Sequence, residues 1–240
     1  KVTYEAGPTG YGLARFLRGR GVVCPVAAPS KLTRPAGNRV KTDFKDAEHL
    51  CRLLRLDEIV EVIVPDADQE AARDLVRARE DVRGDLMRAR HRASKLLLRQ
   101  GIVYPGSKTW TAAYERWLQQ QRFDAPPRQL AFEDAVEAVL LTTDRRDRLD
   151  AAIEAMAADS SYTPLVRRLC CLRGISTLTG FGLAVEIGDW HRFTGSSIGA
   201  FLGLVPTEDS SGESRSQGSI TKAGNGRARP DLETAAHPVS

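Results

Sequence analysis

The sequence predicts an α/β region, then a pair of long helices, then a mainly helical C-terminal region. Three observations support this fold class. Short apolar segments alternate with a helical pattern in the first part of the chain, a long proline-free helical pattern follows, and the last third contains short helical stretches separated by Gly- and Ser-rich turns. A chain of 240 residues is long enough for two domains that each bury a core.

The N-terminal part is predicted to run strand, helix, strand, helix. The apolar segment 22–28 has the composition of a buried strand in a parallel sheet. Thr42 stands where the N-cap of the second helix belongs. The predicted elements are a strand at 1–6, an amphipathic helix at 10–19 carrying Leu13, Phe16 and Leu17, the strand at 22–28, a helix from Thr42 and a short β-like segment at 59–65.

The middle of the chain is predicted to form a helical hairpin stalk. Residues 70–100 place an apolar stripe on one helix face, and residues 130–158 form a second helix that could return antiparallel to it. The aromatic residues between the two helices indicate a small packed cap. The predicted stripes are Leu75, Val82, Leu86, Ala89, Ala93 and Leu96 on the first helix, and Val136, Val139, Leu140, Leu149, Ile153 and Met156 on the second.

Positive charge is concentrated on the first of these helices. The net charge of +4 and the pI of about 9.0 are only mildly basic. Between residues 71 and 100, however, there are nine Lys and Arg residues and only four acidic residues. Arg88, Arg92, Lys95 and Arg99 are therefore candidates to follow a DNA or RNA backbone. The alternative is a solvated outer face of a coiled coil.

Residues 164–177 resemble a helix-hairpin-helix that turns at Gly174. Such turns present backbone N–H groups to a phosphate, so this turn and Arg173 are candidates to hold DNA without reading its sequence. Further along, the segments around Ser210-Ser211-Gly212 and Gly218 to Asn225 are predicted to form a functional loop. The alternative for the two serines is an ordinary turn.

The remaining sequence features concern the compartment of the protein. The four cysteines have no C-x-x-C spacing and are expected to be reduced, buried thiols. The absence of a long apolar run and of a signal peptide predicts a soluble, cytoplasmic protein that makes no contact with a membrane. Because the chain starts without Met, directly in a strand, we expect a further segment upstream of Lys1.

Three carboxylates form the candidate metal site. Glu5 ends the first strand, and Asp43 and Asp46 lie three residues apart at the start of a helix, where they share one face. Carboxylate oxygens are the ligands that hard cations prefer. The alternative for Asp43 and Asp46 is a favourable interaction with the helix dipole.

Taken together, the motifs resemble the DEDD transposases of bacterial insertion sequences, the IS-one-ten and IS-eleven-eleven recombinases. The resemblance covers essentially the whole chain, and it rests on the order and spacing of its motifs. These are Glu5-Ala-Gly-Pro-Thr-Gly, Lys-Thr-Asp43-x-x-Asp46-Ala, Arg-Gly174-Ile, Glu186-Ile-Gly-Asp189-Trp-His-Arg-Phe193, Gly203-Leu-Val-Pro, Ser210-Ser211-Gly212 and Gly-Ser-Ile-Thr-Lys222-Ala-Gly-Asn225.

The resemblance implies a partial RNase H-like (RuvC-like) domain that lacks its first strands at 1–66, a coiled-coil hairpin at 67–162 and a mainly helical transposase domain at 163–240. It also implies an acidic tetrad that binds Mg²⁺, of which Glu5, Asp43 and Asp46 match the last three members. The first Asp would lie upstream of Lys1.

The resemblance further implies a serine that attacks the DNA phosphate, for which Ser211 is favoured over Ser210 because it adjoins Gly212. Lys222, Asn225, Arg227 and Arg229 are candidate phosphate contacts, and the alternative is a solvated basic face. The implied protein is a homo-oligomer that acts on the ends of its element and on target DNA, in some members with a guide RNA.

Two further functions remain open. A structure-specific nuclease of the RuvC-like class would use the same acidic cluster with water as the nucleophile. A non-catalytic nucleic-acid-binding remnant would account for the missing first Asp and for the sequence after Arg229, which departs from the pattern of the family.

Overall fold

The computed structural model describes residues 1–32, 42–211 and 214–229; for residues 209–211, 214 and 215 it describes the backbone. The chain divides into two compact units, an N-terminal unit of residues 1–70 and a C-terminal unit of residues 71–240. The three-domain division expected from the resemblance stays a prediction. None of the described helices is both long enough and apolar enough to cross a lipid bilayer.

The N-terminal unit contains the predicted order of strand, helix, strand, helix. Its first two strands pair in parallel, with Tyr4 opposite Val26 and Glu5 opposite Ala27. Both strands are much shorter than predicted. The elements are β1 (Tyr4–Glu5), α1 (Gly12–Arg18), β2 (Val26–Ala27) and α2 (Asp43–Arg55).

The segment that follows α2 adds a third extended stretch beside β2. The N–H of Val62 donates to the carbonyl of Val26 at 2.9 Å, and the N–H of Ala28 donates to the carbonyl of Val60 at 2.8 Å. The β-like segment predicted at 59–65 is therefore present, as an isolated antiparallel bridge between Ala27 and Glu61.

The core of the N-terminal unit differs from the predicted one. Ala14, Cys24 and Val26 are buried, whereas Leu13 and Phe16 are 53% and 54% exposed. The small α1 helix presents its Ala14 face to the strands, so the predicted apolar face was wrong for these two residues. The prediction of buried cysteines holds for Cys24 alone, because Cys51, Cys170 and Cys171 are exposed.

Two 33-residue helices form the predicted antiparallel hairpin. The carboxylate of Asp150 accepts a hydrogen bond from Arg79 Nε at 2.6 Å, near the base of the hairpin. Towards the tip, Leu86 shares a cluster with Val139, and Leu97 shares one with Phe132, so residue numbers rise on one helix as they fall on the other. Leu140, predicted inside, is half exposed. The helices are α3 (Ala67–Arg99) and α5 (Pro126–Ala158), joined through α4 (Ala112–Gln119).

Aromatic side chains close the tip of the hairpin, as predicted. The Tyr114 ring lies at the centre of the cap, with ring centroids 5.0 Å from Tyr104, 4.9 Å from Trp110 and 5.4 Å from Trp117. Tyr114 and Leu118 of α4 are buried against Leu97 and Phe132. Edge-on and tilted ring pairs at these distances add to the hydrophobic stabilisation of the tip.

The end of the C-terminal unit is helical up to residue 202 and then forms a β-hairpin. The helix α7 is its centre, with Phe181, Leu183, Ala184 and Val185 fully buried. The sequence predicted a loop around Ser210-Ser211-Gly212 and from Gly218 to Asn225, but residues 206–211 and 214–220 form two antiparallel strands, so the loop prediction was wrong for those residues. The elements are α6 (Thr163–Leu169), α7 (Thr177–Ile187), α8 (Gly195–Leu202), β3 (Pro206–Ser211) and β4 (Ser214–Ile220).

Candidate active site and nucleic-acid interface

Two of the three predicted acids line a common cavity in the N-terminal unit. Glu5 lies at the end of β1 and Asp46 in the first turn of α2, and both line a cavity of about 60 Å³ together with His49. The parallel pairing of β1 with β2 and the start of α2 therefore bring Glu5 towards Asp46, as the sequence predicted.

Asp43 does not line this cavity. It is exposed in the first turn of α2, directly after the N-cap residue Thr42. The Thr42 hydroxyl accepts a hydrogen bond from the N–H of Lys45 at 3.3 Å, which confirms the predicted cap. Asp43 therefore has the position expected of a residue that interacts with the helix dipole.

His49 is a residue that the sequence analysis did not assign to the site. Its Nε2 atom is buried, with no hydrogen-bond partner among the residues that the structure describes. A buried polar atom without a partner is unfavourable, so a cavity next to such an atom favours a bound water or ligand. The signal was present in the sequence, because His49 follows Asp46 by three residues and so shares its helix face.

The fit of a divalent cation to this cavity is incomplete within the chain. Two carboxylates and one unpartnered imidazole nitrogen are suitable donors. Nowhere in the described ranges, however, do three or more His, Cys, Asp or Glu side chains lie together as a metal site. The cavity thus offers part of an acidic cluster.

The predicted basic stripe lies along the second half of α3. Arg88, Arg92, Lys95 and Arg99 are all exposed, and their spacing of four, three and four residues puts them on one helix face. Arg88 pairs with Asp85. Within the described part of the chain, Arg92, Lys95 and Arg99 have no ion-pair partner, so their charges face solvent.

Arginines in the first half of α3 serve a different purpose. Arg79 is partly buried and pairs with Asp150 and Glu80; burial lowers its pKa, but these two carboxylates hold the pKa above the ordinary value. The Arg73 guanidinium donates to the carbonyls of Val185 and Glu186 at 2.7 and 3.0 Å. These contacts fasten α3 to α5 and α7.

A turn at Gly174 joins α6 to α7, so the predicted order of helix, Gly turn and helix is present. Gly174 has a φ of 84°, in the left-handed region that favours glycine, and Ser176 caps α7 by accepting the N–H of Thr179. Arg173 is exposed beside this turn. A cavity of about 110 Å³ opens next to it; its polar lining consists of Arg77, Arg79, Glu80, Ser176, Thr179, Glu186 and Arg227.

Glu186 is the buried charge of the C-terminal unit, with 3% of its surface exposed. Arg77 Nε and Nη2 donate to its two carboxylate oxygens at 2.7 and 3.0 Å, and Asn225 Nδ2 donates to Oε2 at 3.3 Å. Burial opposes ionisation of this carboxyl group, but the hydrogen bonds and the positive charge of Arg77 hold its pKa below the ordinary value.

The predicted phosphate contacts after β4 differ in their surroundings. Lys222 is exposed, with a φ of 54°. Arg227 lies 3.6 Å from Asp81 of α3. Asn225 faces inward: besides its contact with Glu186, its Oδ1 accepts the N–H groups of Arg227 and Ala228 at 2.9 and 3.2 Å.

The two candidate nucleophiles lie at the end of β3. Ser210 is opposite Arg215 and Ser211 opposite Ser214 in the antiparallel register, so the serines occupy the last two positions of β3. Gly212, on which the choice of Ser211 was based, lies outside the described residues. The choice between Ser211 and Ser210 stays a prediction.

Comparison with known proteins shows that the chain is similar to transposases. Residues 166–240 match the sequence profile of the transposase IS116/IS110/IS902 family. The chain is 44% identical over 227 residues to "Putative transposase y4qE" of Sinorhizobium fredii (strain NBRC 101917 / NGR234), and 37% identical over 189 residues to "Transposase for insertion sequence element IS1533" of Leptospira borgpetersenii. It is also 28% identical over 246 residues to "Probable family 20 transposase" of Pseudomonas aeruginosa.

These alignments cover most of the chain but a smaller share of the relatives. They include 94%, 78% and 99% of this chain and 55%, 55% and 70% of the three relatives, in the same order. The chain thus spans little more than half the length of the first two. The resemblance to insertion-sequence transposases is confirmed by these matches.

Proposed function

We propose that this protein cleaves and rejoins DNA strands at the ends of an insertion sequence. The support is that residues 166–240 match the IS116/IS110/IS902 transposase family, and that most of the chain is similar to transposases of insertion sequences. The structural observation that carries the proposal is the cavity lined by both Glu5 and Asp46, in a chain that is similar to transposases. Paired carboxylates suit phosphodiester chemistry, because they can hold a cation that polarises the phosphate.

The chain supplies two groups for this chemistry. Glu5 and Asp46, with Asp43 at the same helix start, would hold Mg²⁺. When bound, Mg²⁺ supplies positive charge that polarises the scissile phosphate. A serine of the β3–β4 hairpin attacks that phosphate: a bond forms between its Oγ and phosphorus, the bond to the displaced deoxyribose oxygen breaks, and the serine proton passes to a base.

The covalent serine link conserves the energy of the phosphodiester for rejoining. When the attack is reversed by a different DNA hydroxyl, the strand is joined to a new partner and the serine is released. Ser211 is the proposed nucleophile, with Ser210 as the neighbouring candidate. A hydroxyl is a poor nucleophile at its ordinary pKa, so the reaction needs an activating group near the serine.

Nucleic-acid binding is proposed for the exposed cations of the C-terminal unit. Arg88, Arg92, Lys95 and Arg99 form a stripe on α3, while Arg173 and Lys222 are exposed beside the α6–α7 turn and after β4. These side chains favour contacts with phosphates, which carry no sequence information. Sequence recognition by a guide RNA and action as a homo-oligomer remain part of the proposal.

A covalent adduct between protein and DNA tests the proposal directly. The chain is incubated with labelled element ends, flanking transcript and Mg²⁺, and denaturing gels are run for wild type, Asp46→Asn, Ser210→Ala and Ser211→Ala. We expect an adduct in wild type that is absent from Asp46→Asn and from one serine variant. Binding of DNA without cleavage in every sample would instead favour the non-catalytic remnant.

A hydrolytic nuclease is the second candidate, and His49 is the observation that favours it. Its Nε2 has no hydrogen-bond partner among the described residues, and His49 lines a cavity with room for a water molecule, which is the nucleophile in hydrolysis. The same gels separate the two candidates. Cleavage that persists without an adduct in both serine variants would support the nuclease and contradict the serine mechanism.

A further inference from the structure

The base of the β3–β4 hairpin is fixed by the segment that follows β4. The N–H of Thr221 donates to the carbonyl of Val205 at 2.8 Å, and the N–H of Asn225 donates to the carbonyl of Phe201 at 2.8 Å. The backbone here lies directly on the end of α8: a Cβ added to Gly224 would lie 2.1 Å from the carbonyl oxygen of Phe201. Residue 224 must therefore be glycine for this contact to form.

Asn225 connects this segment to the two helices beneath it. Its Nδ2 donates to the Glu186 carboxylate, which Arg77 of α3 holds by two further hydrogen bonds. Its Oδ1 and its backbone N–H are also occupied. Both polar atoms of the side chain, Nδ2 and Oδ1, thus have internal partners.

The serines lie far from the base of the hairpin, so a small rotation at the base moves them by a larger distance. Ser211 is five residues from Pro206, which pairs with Ile220, so the serines lie about 17 Å from the base at the rise of a β-strand. A rotation of about 5° at the base would displace the tip by about 1.5 Å. Misplacement of a reacting atom by about 1 Å can reduce a rate by about 10²-fold.

We propose that the Asn225–Glu186–Arg77 network is a positioning device for the serine hairpin, and that Asn225 is a positioning residue and not a phosphate contact. The inference rests on the proposed serine chemistry. The network joins α3, α7 and the chain after β4 through one buried carboxylate, so loss of the Asn225 contact would release the hairpin base while the helices remain packed.

The test exchanges, by substitution, the side-chain amide of Asn225 and the carboxylate of Glu186. Asn225→Asp sets a second carboxylate against Glu186, and adding Glu186→Gln restores one amide and one carboxylate at these positions. Hydrogen exchange of the backbone N–H groups in residues 206–220 is measured without DNA, and adduct formation and DNA affinity are measured with it. The exposed Glu154→Gln of α5 is the control for the charge change.

We expect Asn225→Asp to accelerate exchange in the hairpin and to slow adduct formation by about 10²-fold at unchanged DNA affinity. In the double variant, hydrogen exchange in the hairpin should be at least tenfold slower, and adduct formation at least tenfold faster, than in Asn225→Asp. Glu154→Gln should resemble wild type in both measurements. Unchanged hairpin exchange, or a folded double variant without recovery of exchange, would overturn the inference.

The outcome also separates the inference from the proposed function. If wild type forms no adduct, the serine chemistry fails, but the exchange measurements still decide whether Asn225 and Glu186 hold the hairpin. If Asn225→Asp weakens DNA binding and lowers its salt dependence while hairpin exchange is unchanged, Asn225 is a phosphate contact and the inference is wrong.

Discussion

Glu186 shows how a single buried charge can hold three segments together. Its carboxylate takes two hydrogen bonds from Arg77 and one from Asn225. Glu186 is buried and Arg77 is partly exposed, so removing Arg77 would leave a buried carboxylate without its cation, which is unfavourable. Substitution of Arg77 or Glu186 is therefore expected to destabilise the C-terminal unit.

The lowered pKa of Glu186 makes the stability of this unit depend on pH. The unfolded carboxyl group takes up a proton near its ordinary pKa, about 4.3, and the folded one does so at lower pH. The stabilisation is therefore present above about pH 5 and is lost as pH falls through the folded pKa. We expect the difference in unfolding free energy between wild type and Glu186→Gln to shrink on acidification.

Tryptophan fluorescence is suited to this measurement, because Trp110, Trp117 and Trp190 all lie in the C-terminal unit. Urea unfolding of both proteins at pH 7, 5 and 4 gives the difference. Glu154→Gln removes an exposed carboxylate of the same unit and is the matched control. A constant difference across this range would contradict the assignment of the pH dependence to Glu186.

Thr42 is predicted to fix the start of the helix that carries Asp43 and Asp46. Thr42→Ala removes the hydrogen bond from the N–H of Lys45, and loss of such a cap costs about 1 kcal/mol. Hydrogen exchange at residues 44–48 should accelerate. Thr111→Ala removes the equivalent cap of α4 and should leave these amides unchanged; equal exchange in both variants would contradict the prediction.

At the scale of elements, α3 has two halves with different roles. In its first half, Arg73, Arg77 and Arg79 bind carbonyls and carboxylates of neighbouring helices. In its second half, Arg92, Lys95 and Arg99 face solvent. The sequence showed an excess of positive charge along the whole helix, and the packing of α5 and α7 determines which of these charges remain available.

The helical hairpin depends on the apolar stripe of α3, and two leucines of that helix provide a comparison. Leu86 is buried against Val139, whereas Leu98 is 55% exposed. We expect Leu86→Ala to lower the unfolding free energy by about 2–5 kcal/mol, because it leaves a cavity. Leu98→Ala should change it by no more than about 0.5 kcal/mol. Urea unfolding followed by tryptophan fluorescence measures both, and similar losses would contradict the packing.

At the scale of the whole molecule, the candidate groups are divided between the two units. Glu5, Asp46 and His49 belong to the N-terminal unit, and the serines and the basic stripe belong to the C-terminal unit. The proposed chemistry therefore draws on residues of both units.

DNA affinity should fall with salt to a degree set by the number of phosphates bound. Each neutralised phosphate contributes about −0.9 to the slope of log affinity against log salt for duplex DNA. Replacing Arg92, Lys95 and Arg99 together by Ala should make the slope shallower by about 2–3. Fluorescence anisotropy between about 50 and 200 mM salt measures the slope.

The control removes the same charge from elsewhere on α4 and α5. Arg116, Arg128 and Arg145 are exposed there, outside the stripe. Their replacement by Ala should leave the slope close to that of wild type. If both triple variants lose affinity equally, total charge and not the stripe on α3 governs binding.

The sequence by itself determined the order of the elements and much of the candidate chemistry. Helical periodicity located α3 and α5, the Thr42 cap located the start of α2, and motif order indicated the family. These features are local, because they depend on spacing along one helix or on a match between sequences. The convergence of Glu5 and Asp46 was predicted from a strand end, a helix start and the motif match, and not from periodicity along one helix.

Only the tertiary structure decided which side chains meet across distant segments. It brought His49 into the acidic cavity, left Asp43 outside it, and turned Asn225 inward onto Glu186. It also formed a β-hairpin from a polar, Ser-rich segment whose composition indicated a loop. Each of these outcomes depends on burial and hydrogen bonding between residues far apart in sequence, which periodicity along the chain does not encode.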